Sequence, residues 1–138
     1  MNSSELKSYL TGLILGDGYI DSGVVKRSFH IATINEDWAN KIYSDITSAT
    51  NFKTKIFSKE PYVGKDGTNH KKSWWIRIES HPYFAKKYHW FYNDYRKRII
   101  TKKALESLNW NGWANWFMSD GYIVRVGLES GKIYNRYF

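Results

Sequence analysis

Two stretches of the chain share one order of apolar and polar positions. Leu10-Thr11-Gly12-Leu13-Ile14-Leu15-Gly16-Asp17-Gly18 is an apolar run that closes on a small residue, an aspartate and a glycine. Trp113-Ala114-Asn115-Trp116-Phe117-Met118-Ser119-Asp120-Gly121 repeats that order. A tyrosine and an isoleucine follow each, Tyr19-Ile20 and Tyr122-Ile123, and the two aspartates stand 103 positions apart. The first run reads as a helix that begins near Ser3 or Ser4, either of which can cap it, and runs to Gly16. Gly12 and Gly16 are four apart and share one helix face. A helical glycine costs roughly 1 kcal/mol against alanine, so a pair on one face points to close approach of another helix backbone. Leu10, Leu13, Ile14 and Leu15 leave enough apolar surface to pack on a sheet. The carboxylate falls in the last turn, where the helix dipole disfavours an anion and a cation is the natural partner. The glycine after it suits a left-handed cap.

Beyond Asp17 the period changes to that of strands. Tyr19 to Ile34 reads as a β-hairpin turning around Ser22-Gly23. Phe29, Ile31 and Thr33 face inward, and Arg27 or His30 faces outward. Asn35-Glu36-Asp37 starts a second helix, with Trp38, Ile42, Tyr43, Ile46 and Ala49 at helical spacing, and this helix should cover the back of the sheet. Lys53 to Ser80 reads as a second hairpin, with arms 53–59 and 71–79 and a turn-rich tip over 64–69. Ser80-His81-Pro82 opens a strongly aromatic helix carrying Tyr83, Phe84, Tyr88, Trp90, Phe91 and Tyr92, with proline at its first position. His81 and His89 have no zinc-like spacing. A short helix over 103–110 leads into the second signature run. Residues 123–128 and 133–138 read as one more hairpin.

Charge adds a partner to this picture. Lys and Arg number 21 against 13 Asp and Glu, a formal +8, and this balance favours a polyanion. Seven basic residues, Lys53, Lys55, Lys59, Lys65, Lys71, Lys72 and Arg77, concentrate in the second hairpin, and a β-ribbon of this kind can lie in a major groove. Its lysines suit phosphates, whereas the Arg77 guanidinium can pair bidentately with guanine. Aromatics make up 18% of the chain, enough for a core and for stacking surfaces. With no cysteine, disulfides and thiolate metal sites are excluded. No apolar stretch approaches the roughly 20 residues that span a bilayer, and the N-terminus lacks a signal-peptide layout. A cytoplasmic setting is expected by default, with an organellar matrix or phage-infected cell as the alternatives.

The two signature runs resemble those of the LAGLIDADG homing endonucleases, in which LTGLILGDG is similar to the first copy and WANWFMSDG to the second. The resemblance implies an α+β fold built on an αββαββα repeat with an antiparallel DNA-binding sheet. Residues 1–106 would be the first repeat and 107–138 a partial second one, a signature helix plus a hairpin. Asn115 and Ser119 stand at the small-residue positions of the second copy, and Asn115 would make the helix crossing asymmetric.

The resemblance also implies a chemistry. Asp17 and Asp120 would meet at the foot of the helix pair and hold Mg²⁺, or another divalent ion such as Mn²⁺, with the carbonyls of Gly16 and Ser119 as backbone ligands. Two carboxylates about 5 Å apart repel by roughly 3 kcal/mol at an effective dielectric of 20, a repulsion that a divalent cation turns to attraction. Arg98, then Lys102, is the basic residue expected near the scissile phosphate. Lys26, Arg27, His30, Lys53, Lys55, Lys59, Lys71, Lys72, Arg77 and Arg125 are the expected DNA contacts. The expected activity is a site-specific, metal-dependent double-strand cut in DNA. The alternatives on the same scaffold are a non-catalytic DNA-binding protein and an intron RNA maturase. The expected assembly is a monomer with paired signature helices or a homodimer.

Overall fold

The structure is a computed structural model and describes residues 1–21 and 26–120. The expected turn at Ser22-Gly23 and hairpin over 121–138 lie outside those residues. The elements run α1 (Ser3–Leu15), β1 (Tyr19–Ile20), β2 (Arg27–Thr33), α2 (Glu36–Ala49), β3 (Thr54–Lys59), β4 (Tyr62–Val63), β5 (Asn69–His70), β6 (Ser73–His81), α3 (Pro82–Lys87), α4 (Lys102–Ser107) and α5 (Trp110–Asp120), with a 3-10 turn at Tyr88–Trp90 after α3. This is the α+β architecture that the sequence predicts.

Local chemistry accounts for most of the boundaries. Asn2, not Ser3 or Ser4, caps α1: its side chain accepts from the Glu5 amide at 2.8 Å while both serines already sit inside the helix. Asn35 caps α2 in the same way through the Trp38 amide. His81 caps α3, its Nδ1 accepting from the Tyr83 amide at 3.0 Å with Phe52 packed against its ring, so this histidine has a structural task. The aromatic helix is shorter than its composition suggests. After Lys87 the chain tightens so that Tyr88 and Tyr92 stack at 4.6 Å and Phe91 enters the core. The Tyr92 hydroxyl then accepts from the Ile20 amide at 3.1 Å, tying this segment to β1.

Four strands form an antiparallel sheet in the order β1-β2-β6-β3, and β4 and β5 pair as a small separate ribbon at the tip of the second hairpin. Gly67, with φ at 81°, makes the turn of that ribbon. Alternation sends Phe29, Ile31, Ile76 and Ile78 to one face, where all four are fully buried with Leu10, Leu13 and Ile14 of α1, Ile42 and Ile46 of α2, and Phe84. At about 25 cal/mol per Å² of apolar surface removed from water, side chains of this size contribute roughly 1.5–3 kcal/mol each. The helices thus cover one face of the sheet, and the other face stays open. No helix among the described residues is long and apolar enough to cross a membrane.

Two expectations about this layer change. Arg27 shares the odd-numbered, core-facing register of Phe29 and Ile31, next to a β-bulge, and does not reach the open face. Its guanidinium lies 3.4 Å over the Tyr88 ring and donates to the Asp21 carbonyl. The glycine after Asp17 is not a left-handed cap either, because Gly67 is the positive-φ glycine of the described residues. Gly18 serves close packing: its amide donates to the Leu13 carbonyl at 2.7 Å, and a Cβ there would meet that oxygen at 2.7 Å and Phe29 Cε2 at 2.8 Å.

Candidate active site and nucleic-acid interface

The two signature helices pair within the one chain. A Cβ added to Gly12 would meet the Gly112 carbonyl oxygen at 2.0 Å, and one added to Gly16 would meet Ser119 Cβ at 2.2 Å. Ser8 Oγ accepts from the amides of Asn109 at 2.8 Å and Gly112 at 3.1 Å, which satisfies donors at the start of α5. Asn115 is buried, and its Nδ2 donates to the Tyr9 carbonyl at 3.2 Å. The bulk that sequence alone reads as an asymmetry is therefore a cross-helix hydrogen bond. The tightest approach moves one turn earlier, to Gly112, which sequence reasoning missed. Its signal was the small residue one turn before Trp116, outside the copied signature. Tyr9 also fastens α1 to α2 by donating its hydroxyl to Asp45 at 2.8 Å. Burial first, then that carboxylate, pushes the Tyr9 phenol far above its ordinary range, so it stays a donor.

At the foot of the pair, Gly16 packs against Ser119, and each is followed in the sequence by an aspartate, Asp17 and Asp120. Asp17 is exposed and shares with Ser119 the wall of a recess of about 580 Å³ that Tyr19, Trp75 and Met118 also line. Of Asp120 the backbone at the end of α5 is described, and its side chain is not. The foot fits a hard divalent cation. The Asp17 carboxylate and the carbonyls of Gly16 and Ser119 are oxygen donors, and Ser119 Oγ is buried with no hydrogen-bond partner. No three His, Cys, Asp or Glu side chains among the described residues cluster to hold a metal.

Arg98 reaches this foot from far along the chain. Its Nη1 donates to the Gly16 carbonyl at 3.2 Å and its Nη2 to the Gly18 carbonyl, so it braces the turn on both sides of Asp17. A carbonyl has two lone pairs, so the guanidinium leaves one on Gly16 for another cation. Lys102 stands apart from these contacts: it is 90% exposed and pairs with Glu106 at 3.6 Å, one turn along α4.

The open face of the sheet carries a cross-strand row set by register. Tyr19 pairs with His30, His30 with Arg77, and Arg77 with Lys55. Tyr19 and His30 stack at 4.8 Å. Burial, then Arg77, holds the His30 imidazole below its ordinary pKa, against a smaller opposing pull from Asp21. Beside this row, Ala32, Trp75 and Phe57 form a second one, with Lys59 Nζ 4.0 Å over the Trp75 ring. Lys26, Lys53, Lys55, Arg77 and Glu79 line an open recess of about 740 Å³, and Lys55 pairs with Glu79 at 3.3 Å. Lys71 is exposed at the distal end. Lys72 leans the other way, over Trp74 on the core-facing register and toward Glu60 at 3.4 Å. Of the ten expected contacts, Lys26, His30, Lys53, Lys55, Lys59 and Arg77 are gathered on one surface. Arg27 is not, and Arg125 lies outside the described residues.

Residues 7–136 match the family model described as the LAGLIDADG DNA endonuclease family. The chain belongs to that family. Among solved structures, this chain's fold is matched by "The homing endonuclease I-WcaI bound to its DNA recognition sequence", with a TM-score of 0.68 and 22% identity. That match covers 86% of this chain and 52% of the other, so this LAGLIDADG chain spans about half the length of the solved protein. A comparison with curated proteins finds no match.

Proposed function

We propose that this chain binds double-stranded DNA on the open face of its sheet and, with a divalent cation, hydrolyses the phosphodiester backbone at the foot of the α1–α5 pair. The observation that carries the reading is the glycine-tight crossing, which delivers Asp17 and the end of α5 to one place. Asp17, Asp120 and the carbonyls of Gly16 and Ser119 are the residues that would hold Mg²⁺ or Mn²⁺. A divalent ion bound among them supplies an activated water and charge stabilisation for the attacking and leaving oxygens. The chain's own residues do the rest. Arg98 fixes the Gly16–Gly18 turn and so the direction of the Asp17 carboxylate. Lys26, Lys53, Lys55 and Lys59 neutralise backbone phosphates and position the duplex. Arg77 and His30, central in the sheet, face the base edges in the groove.

The test is Asp17→Asn, which keeps the size of an exposed side chain and removes its charge. With Mg²⁺ and a library of target duplexes, cleavage should vanish while the dissociation constant in EDTA stays that of the parent protein. Equal loss of both would make Asp17 a structural residue. A second reading, binding without cutting, draws on Arg98: a guanidinium already on the Gly16 carbonyl repels a cation that needs the same oxygen. Duplex binding with no metal-dependent product for the parent protein would favour it. Preference for structured intron RNA over duplex DNA would favour the maturase reading.

A further inference from the structure

The surface opposite the open sheet face carries a second basic cluster that the proposed function does not use. Lys7 projects from α1, Lys86 and Lys87 from the last turn of α3, and Lys103 from the first turn of α4. These three helices all lie on the covered side of the sheet. Thr101 Oγ1 donates to the Trp90 carbonyl at 2.9 Å, which brings the start of α4 against the end of the α3 segment and the lysines into one patch. What sets the four apart is that they gather on one helical face with no ion pair among them. Lys41, Lys55, Lys72 and Lys102 each pair with an aspartate or glutamate, whereas no ion pair within 4.0 Å is found for Lys7, Lys86, Lys87 or Lys103 among the described residues. Lys87 Nζ lies 4.1 Å over the Trp90 ring and 5.8 Å from that of Tyr83. After its own partial burial, the charges of Lys7, Lys103 and Lys86 hold its pKa below the ordinary lysine value. Four like charges gathered with no ion pair within 4.0 Å among the described residues raise the free energy of the unliganded protein, and a polyanion relieves it.

From this we infer that the helical face is a second, sequence-independent binding surface for the phosphate backbone of a nucleic-acid duplex, so that one protein molecule can hold two duplex segments back to back. The rings decide between duplex and single strand. Trp90 and Tyr83 are half-buried and lie under Lys87, so they are not free platforms for unstacked bases. Lys86 and Lys103 are exposed point charges suited to phosphates. DNA is the duplex committed to here, because the same chain meets DNA on its other face. The inference rests on that reading of the open face for the first of its two duplexes.

The experiment uses the full chain in EDTA, which suppresses cutting. A duplex fixed to a surface captures the protein, and a second, fluorescent duplex of unrelated sequence is then added. Capture of protein reads binding by either face, and capture of fluorescence reads both faces engaged at once. The Lys86→Gln/Lys103→Gln variant should capture protein normally and lose about tenfold or more of the fluorescence. The log–log salt slope of fluorescent capture should fall by about 2, near 0.9 for each phosphate contact removed. Both side chains are exposed, so the variant should fold, and an unchanged thermal transition checks it. The Lys55→Gln/Arg77→Gln variant should lose fluorescence while its helical face still captures protein, and bridging unchanged in it would place the failure in the open-face reading rather than in this one. Normal protein capture by the parent chain without bridging would overturn the proposal. So would bridging that persists unchanged in Lys86→Gln/Lys103→Gln, the mark of self-association. Structured RNA displacing the fluorescent duplex far better than unlabelled DNA would overturn the choice of occupant.

Discussion

Replacing Gly12 by alanine sets two well-characterised effects against each other. On propensity alone, Gly12→Ala in the middle of α1 should stabilise the helix by about 1 kcal/mol. The crossing reverses that sign. The new Cβ would meet the Gly112 carbonyl oxygen at 2.0 Å, well over an ångström inside ordinary contact, and the obstacle is backbone that no rotamer change can move. Relief requires α5 to lift away. That movement strains the bonds from Ser8 Oγ to Asn109 and Gly112 and from Asn115 to Tyr9, each worth about 1 kcal/mol. Overpacking of this kind costs typically about 1–3 kcal/mol. Overpacking less the propensity gain leaves a loss of about 0–2 kcal/mol, and the strained hydrogen bonds bring it to about 2 kcal/mol. For a chain of this size that lowers the melting temperature by about 4–8 °C. Urea unfolding followed by tryptophan fluorescence gives the midpoint, and Gly112→Ala, facing the Ser8 carbonyl at 2.4 Å, should behave alike. The same displacement separates Asp17 from the end of α5, so any cleavage should fall more steeply than stability. A Gly12→Ala protein more stable than its parent would refute the close crossing and with it the shared foot.

Three further outcomes follow from the geometry. Arg98→Ala removes two donors from the Gly16–Gly18 turn and should cost about 1 kcal/mol by urea unfolding, the exposure of the side chain limiting the effect. It should also strengthen Mn²⁺ binding by lifting a positive charge from the Gly16 carbonyl, so weaker Mn²⁺ binding by titration would count against that competition. Lys55→Gln should weaken binding evenly across duplex sequences and reduce the log–log salt slope by about 0.9, whereas Arg77→Gln should relax preference at particular base pairs. His30 has a pKa held below 6.5 in the folded protein, so the unfolded chain takes up the proton first. Stability should therefore be full above that value and fall as pH drops through it. His30→Gln should flatten the decline, and an unchanged profile between about pH 7.5 and 5 would show that the imidazole is not desolvated as described.

Much of this molecule is legible in short windows of its sequence. A period near 3.6 followed by a period of 2 predicts α1 and the strands after it, because each element's burial pattern is carried by neighbours along the chain. The pair of acidic signature runs and the basic second hairpin point to the family and to a polyanionic partner for the same reason: composition and spacing survive without knowledge of the path. Partners far apart in sequence depend on how helices cross and how strands register. Gly112 is a small residue one turn before Trp116, but that alone does not put it rather than Asn115 under Gly12, since which small side chain faces which is settled by the offset of α5 along α1. Arg98 and Lys102 are alike in charge and only four apart, yet the chain's course after Tyr92 puts one on the Gly16 carbonyl and sends the other to Glu106. Arg27 and His30 both looked able to face outward. The register of β2 against β6 buries the first against Tyr88 and presents the second beside Arg77, and only packing against elements some fifty residues away enforces that choice.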